Sequence, residues 1–240
     1  MHKKSVFVTG TDTGVGKTLV TGLLGRFFSE RGVRPVPQKW IQTGSSGSSE
    51  DIASHLNLMG KTKREFEDHL RHMAPYVLNF PSSPHLSARL EQKTIDVEKI
   101  LGSFRVLEDR FDAVIVEGTG GLMVPIDHEK TVVDIWKKTG LPAVVVAENR
   151  LGAINQTILT VEALKKRDIS ILGIVFNQVS KRENEAVLKD NPVIVSELTG
   201  EEVLCSLPYS EDHDDLYRMF APAGRIILDK LRKRDKDGKN

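Results

Sequence analysis

Short apolar runs alternate with longer amphipathic stretches along this chain. "SVFVTG" (Ser5 to Gly10) is a run of the first kind. Lys17 to Arg31 is of the second, with Leu19, Leu23, Leu24, Phe27 and Phe28 along one stripe at helical spacing. "VRPVPQK" predicts a shorter second strand whose prolines suit an edge position. "DAVIVEG" (Asp112 to Gly118), "PAVVVAEN" (Pro142 to Asn149), "ISILGIVFNQ" (Ile169 to Gln178) and "EEVLCSLP" (Glu201 to Pro208) predict four more strands. The first three of these four are apolar on both alternating faces, as strands of a parallel sheet covered by helices on both sides must be.

Helices are expected over Val132 to Thr139, Ile154 to Arg167, Val193 to Leu198 and Leu216 to Leu231. Strand and helix in alternation define a doubly wound α/β fold, a mostly parallel sheet with helices on both faces. Ligands of such folds gather beyond the carboxyl ends of the strands, so the residues that follow each strand carry the chemistry. Residues 40–108 read as less regular, with a small-residue loop "WIQTGSSGSSED" and a helix starting at Pro84 or His85. No linker or fixed-period repeat divides the chain. The expectation is one domain over residues 1–231 and a charged, frayed tail over 232–240.

A chain of 240 residues buries a substantial core without disulfide or metal staples. Lys+Arg 34 against Asp+Glu 33 leaves a formal net charge of +1, which points to neither nucleic acid nor an anionic membrane surface. The single cysteine, Cys205, excludes an intrachain disulfide and fits a reducing compartment; it reads as a small apolar strand residue. The apolar run behind the basic start "MHKK" is too short for a signal peptide or a membrane span, so a cytoplasmic, membrane-free protein is expected. His69 and His72 are three apart but lack a third metal ligand nearby, which fits a solvated helix face.

The first strand runs into "GTDTGVGKT", Gly10 to Thr18. A strand, then glycines, then Gly-Lys-Thr opening a helix is the context of a phosphate-binding loop. Gly14 and Gly16 permit backbone conformations closed to other residues. Successive N–H groups then turn towards phosphate oxygens at a helix N-terminus. Lys17 would neutralise the β- and γ-phosphates of a nucleotide, and Thr18 would offer its hydroxyl to Mg²⁺. Five residues, not four, separate Gly10 from Gly16. Asp12 stands where a related ATPase class carries a signature lysine.

The other strand ends supply further candidates. Glu117 follows its strand where a metal-binding acid belongs, and Gly118, Gly120 and Gly121 let the backbone run close to a ligand. Lys39 and Thr43 lie just beyond the second strand with Asp51 further on, and Lys39 could hold a second anionic group or a developing negative charge. Asn177 ends the fifth strand with an amide able to read an adenine edge, and Pro208 and Tyr209 could wall the base. Asn155, at a helix start after the fourth strand, could help bind a carboxylate.

Taken in order, "TGTDTGVGKT", "QKWIQTGS", "PSSPHLSARLE", "VIVEGTGGLMVP", "NRLGAINQTILT", "GIVFNQV" and "SLPYSED" resemble the dethiobiotin synthetase family over most of the chain. The resemblance implies a fold of the phosphate-loop NTPase type. It implies a reaction that joins 7,8-diaminononanoate and CO₂ at the expense of ATP, with Mg²⁺, to give dethiobiotin, ADP and phosphate. A substrate carbamate is phosphorylated on the way, and the second amine closes a cyclic urea. It also implies a homodimer in which the partner subunit holds the diamine's carboxylate.

Carried onto this sequence, the resemblance assigns the nucleotide to Thr13, Gly14, Val15, Gly16, Lys17, Thr18 and Leu19, with Asp51, Glu117, Gly118, Thr119 and Gly120. Adenine falls to Asn177, Gln178, Pro208, Tyr209 and Ser210. The metal falls to Thr18, Asp51 and Glu117, and catalysis to Lys17 and Lys39. Substrate contacts fall to Thr11, Lys39, Thr43 and, across the dimer, Leu151, Gly152, Ala153, Ile154 and Asn155. Two departures stand out. Trp40 follows Lys39 where the family has proline, and Glu50 beside Asp51 leaves the metal-ligating acid there open. A partner-switching ATPase of the segregation or division-site type is the main alternative, and Asp12 in place of its signature lysine counts against it. A cobyrinate-type amidation enzyme would need an added amidotransferase domain for which the chain is too short.

Overall fold

The chain's apolar runs become a six-stranded sheet, seen here in a computed structural model that describes residues 4–237. In chain order the elements are β1 (Val6–Gly10), α1 (Lys17–Glu30), β2 (Pro35–Lys39), β3 (Ile41–Thr43), α2 (Glu50–Leu58), a 3-10 segment (Lys63–His69), α3 (Leu70–Met73), β4 (Tyr76–Leu78), α4 (Pro84–Leu90), α5 (Val97–Arg110), β5 (Ala113–Gly121), α6 (Val132–Lys137), β6 (Ala143–Glu148), α7 (Ala153–Lys165), β7 (Ile171–Asn177), α8 (Glu185–Thr199), β8 (Val203–Leu207) and α9 (His213–Asp237). The strand order is β2-β5-β1-β6-β7-β8, and every pairing is parallel. The chain moves from β1 to one side of the sheet for β2 and β5, then to the other side for β6, so the loop after β1 opens at the topological switch point.

Alternation sorts each strand's side chains onto two cores. Val6 and Val8 of β1 join Phe27 and Phe28 of α1 and Phe220 of α9 on one face, while Phe7 joins Trp40 and Trp136 on the other. Phe7 stacks on Trp136 at 4.1 Å and meets the edge of Trp40 at 5.0 Å. Both faces are covered, as the unbroken apolar runs require. β2 is an edge strand, as its prolines Pro35 and Pro37 predict.

The middle of the chain is more regular than its sequence suggests. Ile100, Leu101, Phe104 and Leu107 form the buried face of α5, and β3 pairs with β4 in a second, two-stranded parallel sheet. The helix expected at Val193 begins eight residues earlier, at Glu185, capped by the Asn184 side chain, and it continues through Pro192. The last helix runs past Leu231 to Asp237, so residues 232–237 are helical rather than frayed, and the final three residues lie outside the described part. His69 packs edge-on against Phe111 and His72 Nδ1 lies 3.4 Å from Ser103 Oγ, so the two do not share a ligand. Burial pushes the Cys205 thiol up to about 12, in keeping with an inert strand residue.

Two glycines of α1 let α2 approach. A Cβ on Gly22 would lie 2.5 Å from Leu58 Cδ1 and 2.6 Å from its Cβ, and one on Gly25 would lie 2.7 Å from Met59 Sδ. Gly102 of α5 has open space where its Cβ would stand. Gly→Ala in a helix gains roughly 1 kcal/mol of propensity, while overpacking a tight contact costs roughly 1–3 kcal/mol. Gly22→Ala is therefore expected to destabilise and Gly102→Ala to stabilise. Urea unfolding of the two variants, with opposite shifts in midpoint, checks this.

Candidate functional site

Gly14 (φ +79°) and Gly16 (φ +102°) take the left-handed conformations that the loop after β1 needs. Gly16 is also the N-cap of α1 and offers no side-chain cap, and the first turn of α1 holds no acidic residue. The helix start therefore presents open N–H groups and positive potential to the loop. Lys17 Nζ folds back onto the Asp12 carbonyl at 2.7 Å. Burial, and next the charge of Lys39, bring its ammonium down to about 8, against the raising effect of Glu117, Asp51 and Asp12. Asn177, at the end of β7, donates from Nδ2 to the Val15 carbonyl at 3.1 Å; a Cβ on Gly16 would meet that amide at 2.2 Å.

Parallel register places the next groups. Lys39 of β2 is the cross-strand partner of Glu117 of β5. Lys39 Nζ lies 2.6 Å from Glu117 Oε1, 2.7 Å from Asp51 Oδ2 and 3.2 Å from the Gly118 carbonyl. Thr18 Oγ1 reaches Glu117 Oε1 at 3.2 Å and Asp51 Oδ1 at 3.4 Å. Lys39, which the local sequence leaves without a partner, thus has two acidic partners from distant segments. Burial opposes its charge, but the two carboxylates outweigh it and raise the ammonium's pKa. Burial alone would likewise raise the Glu117 carboxyl; the Lys39 ammonium and the His55 hydrogen bond overcome it and hold the carboxyl down at about 2.

Asp51 owes its place to the start of α2. Ser49 caps the helix by accepting from the Ile52 N–H, and Gln42 Oε1 accepts from both Ser49 Oγ (2.8 Å) and the Asp51 N–H (3.3 Å). Of the two adjacent acids, Glu50 is exposed, whereas Asp51 meets Lys39 and Thr18. Trp40 is 2% exposed, packed on Phe7 and hydrogen-bonded to Gln38, so the departure from proline serves the core beneath the site.

These groups line a cleft of about 720 Å³ that also includes Thr13, Gly14, Gly16, Thr43, Thr119 and Gly120. Its opposite wall is Pro81, Ser82, Ser83 and Pro84 at the start of α4. Three sets of expected residues lie elsewhere. Leu151, Gly152 and Ile154 border a separate surface hollow of about 690 Å³ with residues of α8, and Asn155 is exposed on the same helix. Pro208, Tyr209 and Ser210 follow β8, where Lys181 Nζ lies 5.1 Å from the centre of the Tyr209 ring. Gln178 donates its side-chain amide to the Ser180 carbonyl. Thr11 sits in the loop, its N–H bonded to Val146, Leu19 packs with the α1 core, and Val15 and Gly118 are buried.

The sequence reading missed His55 and Gln42. His55 Nε2 lies 2.6 Å from Glu117 Oε2, and both residues are fully buried. The available signal was spacing: His55 stands four residues after Asp51, on the same face of a helix.

The ligating atoms gathered near Lys39 are all oxygen: the Thr18 hydroxyl, two carboxylates and the Gly118 carbonyl. That set suits a hard divalent cation such as Mg²⁺, which binds through one or two carboxylates and substrate phosphates rather than a full protein cage. Accordingly, among the described residues no cluster of three His, Cys, Asp or Glu side chains stands ready for a metal. None of the described helices is long and apolar enough to cross a membrane.

A phosphate loop at the switch point of a parallel sheet, with an acid on the neighbouring strand, defines a phosphate-loop NTPase. The family model described as an AAA domain matches residues 4–215. The fold resembles a ParA family ATPase from Chlorobium tepidum (TM-score 0.53, 16% identity, 95% of this chain and 98% of that one) and a chain of the MinC:MinD cell division protein complex of Aquifex aeolicus (TM-score 0.54, 15% identity, 97% and 96%). In sequence the chain is 40% identical to the ATP-dependent dethiobiotin synthetase of Chlorobaculum tepidum over 94% of its own length and 97% of the relative's. It is 37% identical to that of Thermodesulfovibrio yellowstonii over 86% and 89%. The chain belongs to the dethiobiotin synthetase family, and it is a ligase.

Glu117 links the two halves of the site, so neutralising it tests the arrangement. Glu117→Gln, a poorer ligand for a hard cation, is expected to raise the Mg²⁺ concentration for half-maximal activity by about tenfold or more. A Mg²⁺ titration of ATP-dependent product formation measures it; an unchanged curve would leave Glu117 a structural partner of Lys39 and not a metal ligand.

Proposed function

We propose that the chain makes dethiobiotin from 7,8-diaminononanoate, CO₂ and ATP in the cytoplasm, with Mg²⁺. The observation that carries this reading is the buried Lys39 beside the phosphate loop: a second fixed cation, next to Lys17, on the side of the cleft that faces the Pro81–Pro84 wall. One cation serves a nucleotide. Two, flanking a pair of carboxylates, suit transfer of a phosphoryl group onto a second anion.

The chemistry balances. An amine adds to CO₂ and releases a proton, leaving a carbamate. A carbamate oxygen attacks the γ-phosphorus, ADP leaves, and a carbamic-phosphoric anhydride forms. The second amine attacks the carbonyl carbon, its proton passes to the departing phosphate, and the cyclic urea closes. Lys17, the loop N–H groups and the α1 N-terminus hold the triphosphate. Lys39 stabilises the carbamate and then the transferring phosphoryl group. Thr18, Asp51 and Glu117 would hold Mg²⁺, which supplies charge neutralisation to the phosphates. Lys39 lies against the same two carboxylates that would hold the cation.

The diamine is assigned to Thr43, which lines the cleft, and to Thr11 of the loop. Adenine is assigned to Asn177, Gln178 and Pro208 to Ser210. The diamine's carboxylate would go to Leu151 to Asn155 of a partner subunit in a homodimer. The exposed Leu151 and Val193 that border the second hollow support that association. The structural likeness to segregation and division ATPases extends to the fold alone, and Asp12, exposed at the loop, stands where their signature lysine would be.

Incubating protein with ATP, Mg²⁺, bicarbonate and 7,8-diaminononanoate, and detecting dethiobiotin by mass, tests the assignment; ATP turnover indifferent to the diamine would refute it. Lys17→Ala is expected to lower turnover at least about a hundredfold, because a preorganised charge on the phosphoryl group is lost. Lys39→Gln is expected to leave calorimetric ATP affinity near that of the wild type while dethiobiotin formation falls about a hundredfold. Collapse of ATP binding in Lys39→Gln would move that residue into the nucleotide site, and full turnover would remove it from both.

A further inference from the structure

His55 is an odd residue for its place. It lies on α2 between Ile52 and Leu56 on one side and Leu58 and Met59 on the other, all buried, at the close contact with α1. An apolar side chain would fill such a position without polar atoms to satisfy. The imidazole is fully buried, and among the described residues its Nδ1 has no hydrogen-bond partner. Leaving a buried polar atom unpaired is costly, so packing alone does not account for a histidine here.

Its other nitrogen does have a task. Glu117 is ionised and can only accept, so His55 must carry its proton on Nε2 and donate it to Oε2 at 2.6 Å. The terminal torsion of a glutamate side chain is broad, and its carboxylate plane turns freely unless something holds it. Lys39 and Thr18 both engage Oε1. Oε2 is held by His55 from behind.

We infer that His55 is a positioning residue: by holding Glu117 Oε2 it keeps Oε1 aimed at Thr18 and Asp51, the oxygens that would receive the divalent cation. This rests on the reading of Glu117 as a metal ligand. Asp51 and His55, one turn apart on α2, then act on the same centre from two directions, Asp51 as a donor to it and His55 through Glu117.

The test uses the full chain with the β,γ-imido analogue of ATP and Mn²⁺ as the probe, reading free Mn²⁺ by electron paramagnetic resonance. His55→Leu, which leaves the buried Glu117 Oε2 without its partner, is expected to melt lower than wild type and to bind the analogue equally well in EDTA, yet to weaken Mn²⁺ about tenfold. His55→Gln, whose amide N–H can reach the same oxygen, is expected to recover Mn²⁺ affinity to within about threefold of wild type. A shared structural role would weaken both variants alike, and that result overturns the inference, as does unchanged Mn²⁺ affinity in His55→Leu. Should His55→Leu fail to fold, His55→Gln and the shorter His55→Asn make the comparison; equal Mn²⁺ affinities would again overturn it. Glu117→Gln separates the two levels. If it leaves Mn²⁺ binding intact, the reading of Glu117 fails and takes the inference with it. If it weakens Mn²⁺ and His55→Leu does not, the inference alone fails.

Discussion

A lysine at the end of β2 and the glutamate beside it in the middle of β5, both buried, govern this structure. Burying either charge alone would cost several kcal/mol. Lys39 and Glu117 tolerate burial because the register of β2 on β5 makes them neighbours, and because Asp51, Thr18 and His55 satisfy what remains. The helpers come from α1 and α2, so the cluster is complete only when α1, α2, β2 and β5 are all in place. The same groups then meet at one point of the cleft.

The packing around the cluster follows from that demand. α2 must come close enough for Asp51 and His55 to reach, and Gly22 and Gly25 provide the room on α1. Gln42 fixes where α2 begins and hence which of two adjacent acids faces inward. Trp40 and Phe7 make the apolar floor that keeps water from the ion pairs, where electrostatic attraction is stronger than at a wet surface.

The sheet and the phosphate loop were legible in sequence because their signals are local. Continuous Val and Ile runs mark strands covered on both sides, and Gly14, Gly16, Lys17 and Thr18 stand within a few residues of one another. Glu117 and Lys39 were legible only as strand-end candidates; that they are cross-strand partners depends on register, which no local pattern states. His55 was hidden because a lone histidine in a helix reads as ordinary, and its partner lies 62 residues away. α8 was read short because Pro192 resembles a helix breaker, though Asn184 starts the helix well before it. The region from Trp40 to Glu108 looked irregular because most of its elements are short.

Pro35 and Pro37 alternate on β2 with Val36 and Gln38. A strand paired on one side turns alternate N–H groups outward, and at this edge the outward positions are the two prolines, which have none to offer. Gln38 meanwhile donates its side-chain amide to the His72 carbonyl, tying the strand to the helix that shelters it. A seventh strand therefore finds no ladder to join on the Lys39 side. Self-association by sheet extension, the usual hazard of an exposed edge, is closed where it would disturb the charged centre.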